Sequence, residues 1–77
     1  EMARPALLTP LPHRIVGALF LQPMTVPELM RCLTRGRDAI RRALYELRDR
    51  GMVEVGERRR GRTGQPQHVY RLAWLRR

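Results

Sequence analysis

The chain has 77 residues, a length that suits one small domain. Its apolar fraction of 43% is typical of a chain that folds. With one Trp, two Tyr and one Phe, the core must consist mainly of Leu, Ile and Val. A core of this size leaves little room for a deep catalytic cavity, so composition argues against an enzyme.

The charge is strongly positive. Sixteen Arg residues and no Lys stand against seven acidic residues, which gives a formal net charge of +9 and a pI of about 11.7. The absence of Lys indicates the codon preference of a GC-rich genome, but such a preference does not explain the excess over acids. An excess of this kind suits a nucleic acid, an acidic protein or an anionic membrane as the partner.

Several kinds of site and location are not expected. No apolar run approaches the length of about 18 residues that spans a bilayer, and no secretory signal is visible, so we expect a cytoplasmic protein without a membrane partner. Cys32 cannot form an internal disulfide, and its apolar helical context predicts a buried structural thiol. His13 and His68 have no metal-ligand spacing, and we expect neither a metal nor another cofactor.

The first third of the chain predicts an arm and two helices. Residues 2–10 carry two prolines and no clear period, so residues 1–9 are predicted to be an N-terminal arm. Thr9 can then cap a first helix over about 10–21, which Pro23 ends. Thr25 and Glu28 form a capping box that opens a second helix, which ends near Leu33. In the first helix one apolar face follows from residues at helical spacing, which are Leu11, Ile15, Ala18, Leu19 and Gln22. The apolar stripe of the second helix consists of Leu29, Met30 and Leu33.

The third predicted helix, 37–50, has the clearest period in the chain. Gly36 suits the corner or N-cap before it, and Gly51 suits its C-terminal stop. Its buried face is predicted to hold Ile40, Ala43, Leu44 and Leu47. The opposite side then presents Asp38, Arg42, Tyr45 and Asp49, with Arg37 and Arg41 alongside.

The last third of the chain predicts a hairpin. Residues 52–55 and 68–72 alternate as strands do, and a loop rich in Gly and Arg, 56–67, joins them. Tyr70 and Leu72 are predicted to point inward, and Trp74 to pack on the first helix. The expected domain organisation is an arm (1–9), one domain (10–73) and a C-terminal tail (74–77).

The order of these elements resembles the winged helix-turn-helix superfamily of DNA-binding transcription regulators, of bacterial or phage type. The segments MTVPELMRCL, RGRDAIRRALYELRDRGMVEV and HVYRL carry the resemblance, which covers about residues 9–73. It implies an α+β, mainly α fold, in which three helices precede a two-stranded β-hairpin wing. It also implies that the third helix enters the major groove while the wing touches the flanking backbone or minor groove.

The Arg positions predict a compatible surface independently of the resemblance. Four Arg residues crowd the start of the third helix, where cations oppose the helix dipole at a cost of about 0.3–1 kcal/mol each. Arg is the commonest reader of guanine edges in the major groove, so Arg41 and Arg42 are the first choices for base contact. The predicted DNA-binding residues are Arg35, Arg37, Asp38, Arg41, Arg42, Tyr45, Arg58, Arg59, Arg60, Arg62 and Thr63.

The sequence therefore predicts a double-stranded DNA-binding protein, a small transcriptional regulator associated with the nucleoid, acting as a monomer or a homodimer. No catalytic constellation is present, and no residues are left for a small-molecule effector domain. Two alternatives stay open: a protein-interaction winged helix, and a non-sequence-specific DNA binder in replication or recombination. The segment ALYEL is also similar to winged helices that bind left-handed duplexes through Asn and Tyr; Tyr45 matches, but Arg41 stands at the Asn position.

Overall fold

The computed structural model describes residues 10–61 and 64–75. These residues form three helices followed by an antiparallel β-hairpin, which is the predicted winged-helix, mainly helical α+β arrangement. Each helix in these two stretches is too short or too polar to cross a lipid bilayer. The elements are α1 (Leu11–Leu21), α2 (Val26–Leu33), α3 (Arg37–Asp49), β1 (Val53–Arg60) and β2 (Pro66–Leu72).

Helix α1 begins one residue later than predicted. Pro10 is the N-cap residue and supplies no side-chain hydrogen bond, while Thr9, which was expected to cap this helix, lies outside the described residues. Proline fits at this end because the first amides of a helix have no intrahelical partner to lose. The helix ends where Gln22, before Pro23, takes an extended conformation.

Helix α2 opens with the predicted capping box. The Thr25 hydroxyl accepts a hydrogen bond from the Glu28 amide at 3.4 Å, and the Glu28 carboxylate accepts one from the Thr25 amide at 2.9 Å. The helix ends at Leu33, after which Thr34 adopts a left-handed conformation with φ = 56°. The Arg14 guanidinium of α1 donates to the Leu33 carbonyl at 3.4 Å, which ties the two helices together.

Helix α3 buries the predicted face. Gly36 is its N-cap residue, and Ile40, Ala43, Leu44 and Leu47 are all buried. At the other end, the Met52 and Gly51 amides donate to the carbonyls of Leu47 and Arg48, both at 2.9 Å, with Gly51 at φ = 73°. This is a Schellman motif, which only a residue that tolerates positive φ closes without strain.

The hairpin is longer than predicted, and the expected loop over 56–67 is wrong. Strand β1 continues to Arg60 and β2 starts at Pro66, so residues 56–60 and 66–67 of the predicted loop belong to the strands. A register shift between Val55 and Arg58 interrupts the pairing. Beyond it, backbone pairing joins mostly polar residues, and an alternating apolar pattern is absent from that part of the sequence.

The connection between α1 and α2 also joins the sheet. The Met24 amide donates to the Tyr70 carbonyl at 3.0 Å, and the Tyr70 amide donates to the Met24 carbonyl at 2.8 Å. This bridge lies on the β2 edge that β1 does not occupy, since Tyr70 also pairs with Val55 of β1. The wing is therefore fastened to the helices by backbone hydrogen bonds as well as by side-chain packing.

The core lies between the helices and the base of the hairpin. Leu72 is buried and Tyr70 is partly buried, as expected for inward positions. Cys32 is exposed, so the prediction of a buried thiol is wrong; α2 buries only the narrow stripe of Leu29 and Leu33. Trp74 is 56% exposed, and Leu75 is a tail residue that packs against the core; the packing of Trp74 on the first helix stays a prediction.

Candidate nucleic-acid interface

The start of α3 presents a dense group of exposed guanidinium groups. Arg37, Arg41 and Arg42 lie on the exposed part of the helix surface, and Arg35 is exposed in the turn before it. Within residues 10–61 and 64–75, the guanidinium groups of Arg35, Arg37 and Arg42 have no hydrogen-bond or ion-pair partner. Their charges face solvent without compensation, which leaves all their donors available to an anionic ligand.

Arg41 is held in place by Tyr45, one helical turn further on. Its Nη2 donates to the Tyr45 hydroxyl at 2.8 Å, and its guanidinium carbon lies 5.8 Å from the centre of the Tyr45 ring. The hydrogen bond and the nearby positive charge lower the pKa of the Tyr45 phenol, and the same bond raises the pKa of Arg41. Because a guanidinium has five N–H donors, Arg41 keeps enough of them for a bidentate contact.

Asp38 is the only acidic residue in the first turn of α3. It is exposed, and its negative charge stabilises the helix because it lies near the positive end of the helix dipole. A carboxylate repels phosphate, but it can accept a hydrogen bond from the amino group of cytosine. Its predicted place at the interface therefore suits a base contact and does not suit a backbone contact.

A groove runs between α3 and the wing. Arg37 and Arg41 line one side of it, His68 and Tyr70 line the other, and Pro27 at the start of α2 closes one end. The fold thus places the guanidinium groups of α3 opposite the strand that carries the wing. Gln65 and Gln67 also line this groove, and neither they nor His68 were predicted as site residues.

A second groove separates α2 from the wing. Arg31 and Glu28 line the side of α2, while Arg59 and Arg60 line the side of β1. Arg59 Nη1 donates to Glu28 Oε2 at 2.9 Å, so this predicted phosphate contact is already engaged in an ion pair. Arg31 was not predicted, although its spacing of four residues from Arg35 is a signal in the sequence that the two cations lie close together.

Backbone hydrogen bonds join the two described sides of the wing tip. The Gly61 amide donates to the Gln65 carbonyl at 2.7 Å, and the Gly64 amide, at φ = 85°, donates to the Gly61 carbonyl at 3.0 Å. Arg60 Nη1 donates to the Gly64 carbonyl at 3.4 Å, whereas the guanidinium of Arg58 has no hydrogen-bond or ion-pair partner among the described residues. The predicted contacts Arg62 and Thr63 lie outside the described residues.

Two acids are neutralised away from this surface. Glu46 accepts from Arg50 at 3.0 Å at the end of α3, and Glu54 accepts from Arg71 at 2.6 Å across the base of the hairpin. At the surface itself Glu28 pairs with Arg59 and Asp38 stands beside the Arg residues of α3, yet the Arg residues outnumber the acids there. A surface of this kind concentrates a polyanion by long-range attraction.

No cluster of three or more His, Cys, Asp or Glu side chains suits a metal ion within the part of the chain that the structure describes. No family model matches the sequence, and no curated protein matches it either. Inference about function therefore depends on the fold and on the chemistry of its surface.

Proposed function

We propose that the protein binds double-stranded DNA as a winged helix-turn-helix transcription regulator. In this proposal α3 enters the major groove and the wing contacts flanking phosphates or the minor groove. The observation that carries it is the convergence of Arg side chains from four parts of the chain around Pro27, which borders three adjoining grooves. These side chains are Arg31 of α2, Arg35 of the turn, Arg37 and Arg41 of α3, and Arg59 and Arg60 of β1.

The shape of this surface supports a duplex as the ligand. An α-helix with its side chains fits the major groove, and α3 projects its Arg-bearing half next to the groove that separates it from the wing. Arg37 and Arg41 line the α3 side of that groove, while Arg59 and Arg60 of the wing line the adjoining one, so in this proposal the wing meets phosphates and α3 faces base edges. Such a division of contacts positions the protein through the backbone and specifies sequence through the bases.

We expect Arg42 to be the best base reader in this arrangement. It is exposed on α3, and its guanidinium has no hydrogen-bond or ion-pair partner among the described residues. Arg41 is second, with its direction set by Tyr45. A protein that reads a sequence in this way regulates transcription by occupying a site, without chemistry of its own. Such a protein would be found on the nucleoid.

The contact of α3 is tested by Arg42→Ala. On a DNA site obtained by selection from a random duplex library, this change is expected to weaken binding by about 1–3 kcal/mol and to relax the preference for one base pair. The matched control is Arg48→Ala, which removes the same charge from the exposed surface of the second half of α3. Fluorescence anisotropy on cognate and base-substituted duplexes measures both variants, and equal losses would contradict a base contact by Arg42.

The contact of the wing is tested by the double change Arg58→Ala and Arg60→Ala. We expect weaker binding to all sequences alike, and a slope of log K against log salt that is shallower by about 1.8, or 0.9 per phosphate lost. Anisotropy titrations over a series of salt concentrations give the slope. An unchanged slope would show that the wing does not hold phosphates.

A further inference from the structure

Arg41 lies at the edge of the exposed face of α3, on the side of the wing. The buried residues of α3 fix the rotation of the helix, so at about 100° per residue Arg41 lies about 70° from the centre of the exposed face and Tyr45 about 30° from it, on the same side. Arg41 also lines the groove between α3 and the wing, opposite His68 and Tyr70. From this edge a guanidinium can reach either a backbone phosphate in the groove or a base edge in front of α3.

The contact with Tyr45 directs Arg41 towards the bases. Arg41 Nη2 donates to the Tyr45 hydroxyl at 2.8 Å, and the guanidinium carbon lies 5.8 Å from the centre of the ring. Because Tyr45 is one turn further along α3 and nearer the centre of the exposed face, this bond turns the guanidinium away from the wing and along the helix surface. The bond uses one of five N–H donors, and the donors that remain can meet O6 and N7 of guanine together.

We propose that Arg41 reads a guanine in a different base pair from the one that Arg42 contacts, and that Tyr45 is the positioning residue for this contact. This inference rests on the proposed DNA binding and adds the identity of a base to it. Arg42 lies about 30° from the centre of the exposed face on the side away from Arg41, so the two guanidinium groups are directed at different positions along the DNA. Without the Tyr45 hydroxyl, Arg41 is free to turn into the groove, where a phosphate contact adds affinity but no sequence preference.

Tyr45→Phe tests the role of the hydroxyl because it keeps the ring. Selection from a random duplex library gives the site of the parent, and fluorescence anisotropy on duplexes with each guanine replaced by adenine measures every preference. We expect the parent to prefer guanine at the position assigned to Arg41 by about tenfold. Tyr45→Phe should reduce this preference by about fivefold, as for the loss of one hydrogen bond. Its slope of log K against log salt should equal that of the parent, because the charge of Arg41 still meets the DNA.

Two changes at Arg41 separate positioning from direct contact. In an Arg41→Ala background, Tyr45→Phe should have no further effect on the preference; an equal loss in both backgrounds would show that Tyr45 touches the DNA itself and would overturn its positioning role. Arg41→Lys keeps the charge but not the fork of donors, so it should lose the preference and keep the salt slope. Replacing the assigned guanine by 7-deazaguanine, which lacks the N7 acceptor, should weaken binding of the parent and leave Arg41→Ala unaffected.

Tyr70→Phe is the matched control, since Tyr70 borders the same groove and its replacement leaves the bond between Arg41 and Tyr45 intact. This variant should keep every preference of the parent, and circular dichroism verifies that all variants are folded. A parent that enriches a motif in which Tyr45→Phe changes no guanine preference would overturn this inference and leave the proposed function standing. So would loss of the same base pair in Arg41→Ala and Arg42→Ala. A parent that binds no duplex would overturn the proposed function, and this inference with it.

Discussion

Replacing Glu28 separates two functions of a single carboxylate. One oxygen, Oε1, accepts a hydrogen bond from the Thr25 amide and completes the capping box of α2. The other oxygen, Oε2, accepts a hydrogen bond from the Arg59 guanidinium of the wing. Glu28→Gln keeps a carbonyl oxygen for the cap but removes the charge that holds Arg59. Glu28→Ala removes both interactions.

The two variants should differ in stability. The Glu28–Arg59 pair is 35% and 45% exposed, so solvent screening limits its contribution to about 0.5 kcal/mol. Loss of the capping interaction adds about 1 kcal/mol. We therefore expect Glu28→Gln to lower the free energy of unfolding by about 0.5 kcal/mol and Glu28→Ala by about 1.5 kcal/mol. Urea denaturation followed by circular dichroism measures both values.

The effect on DNA binding should have the opposite sign. Glu28→Gln releases Arg59 and removes a negative charge from the groove between α2 and the wing. We expect tighter binding to any duplex and a salt slope that is steeper by about 0.9, as for one added phosphate contact. Glu46→Gln is the control, since it removes the same charge but the partner of Glu46 is Arg50, the C-cap residue of α3, which lies away from this groove.

Two outcomes would refute this reasoning. If Glu28→Gln lost as much stability as Glu28→Ala, the charge and not the cap would dominate the role of Glu28. If the salt slope of Glu28→Gln equalled that of the parent and of Glu46→Gln, Arg59 would not reach phosphate even when released.

Two further predictions concern local geometry. Thr34→Gly should raise the free energy of unfolding by about 0.5–1 kcal/mol in urea denaturation, because a β-branched residue is strained at φ = 56°. Thr34→Ala is the control because it keeps a Cβ. An equal gain in stability for Thr34→Ala would contradict this explanation. In a Tyr70→Phe background, ultraviolet titration should find the pKa of Tyr45 below the ordinary value, and Arg41→Ala should raise it. A group whose pKa is lower in the folded state than in the unfolded state adds stability above its unfolded-state pKa, and this stability is lost as the pH falls through the folded-state pKa. The shift of Tyr45 therefore adds no stability at neutral pH. A Tyr45 pKa that Arg41→Ala leaves unchanged would contradict the hydrogen bond between the two side chains.

The parts of the fold that follow from local physics could be predicted from sequence. The capping box of Thr25 and Glu28 is a local pattern, and it occurs as predicted. The buried face of α3 follows from a 3.6-residue period, and Ile40, Leu44 and Leu47 are buried accordingly. The outer half of the wing could not be predicted, because strands held by backbone bonds between polar residues carry no apolar pattern.

The candidate site shows the same limit. The exposure of the α3 Arg residues follows from the helix period, and the structure has them exposed. The engagement of Arg59 by Glu28 joins residues 31 positions apart, and the bridge between Met24 and Tyr70 uses backbone atoms only. Such contacts depend on how the elements pack, so a linear pattern does not reveal them. Cys32 was misjudged for a related reason, since a helix of eight residues buries only a narrow stripe.

Selection from a random duplex library at a salt concentration of about 0.15 M tests whether this surface reads a DNA sequence. We expect the parent to enrich one motif, and Arg42→Ala to lose preference at one position of that motif. Binding without enrichment would contradict sequence reading and leave a binder of backbone or shape. Loss of all DNA binding at that salt concentration would contradict the proposed function and favour a protein partner for the Arg side chains that converge around Pro27.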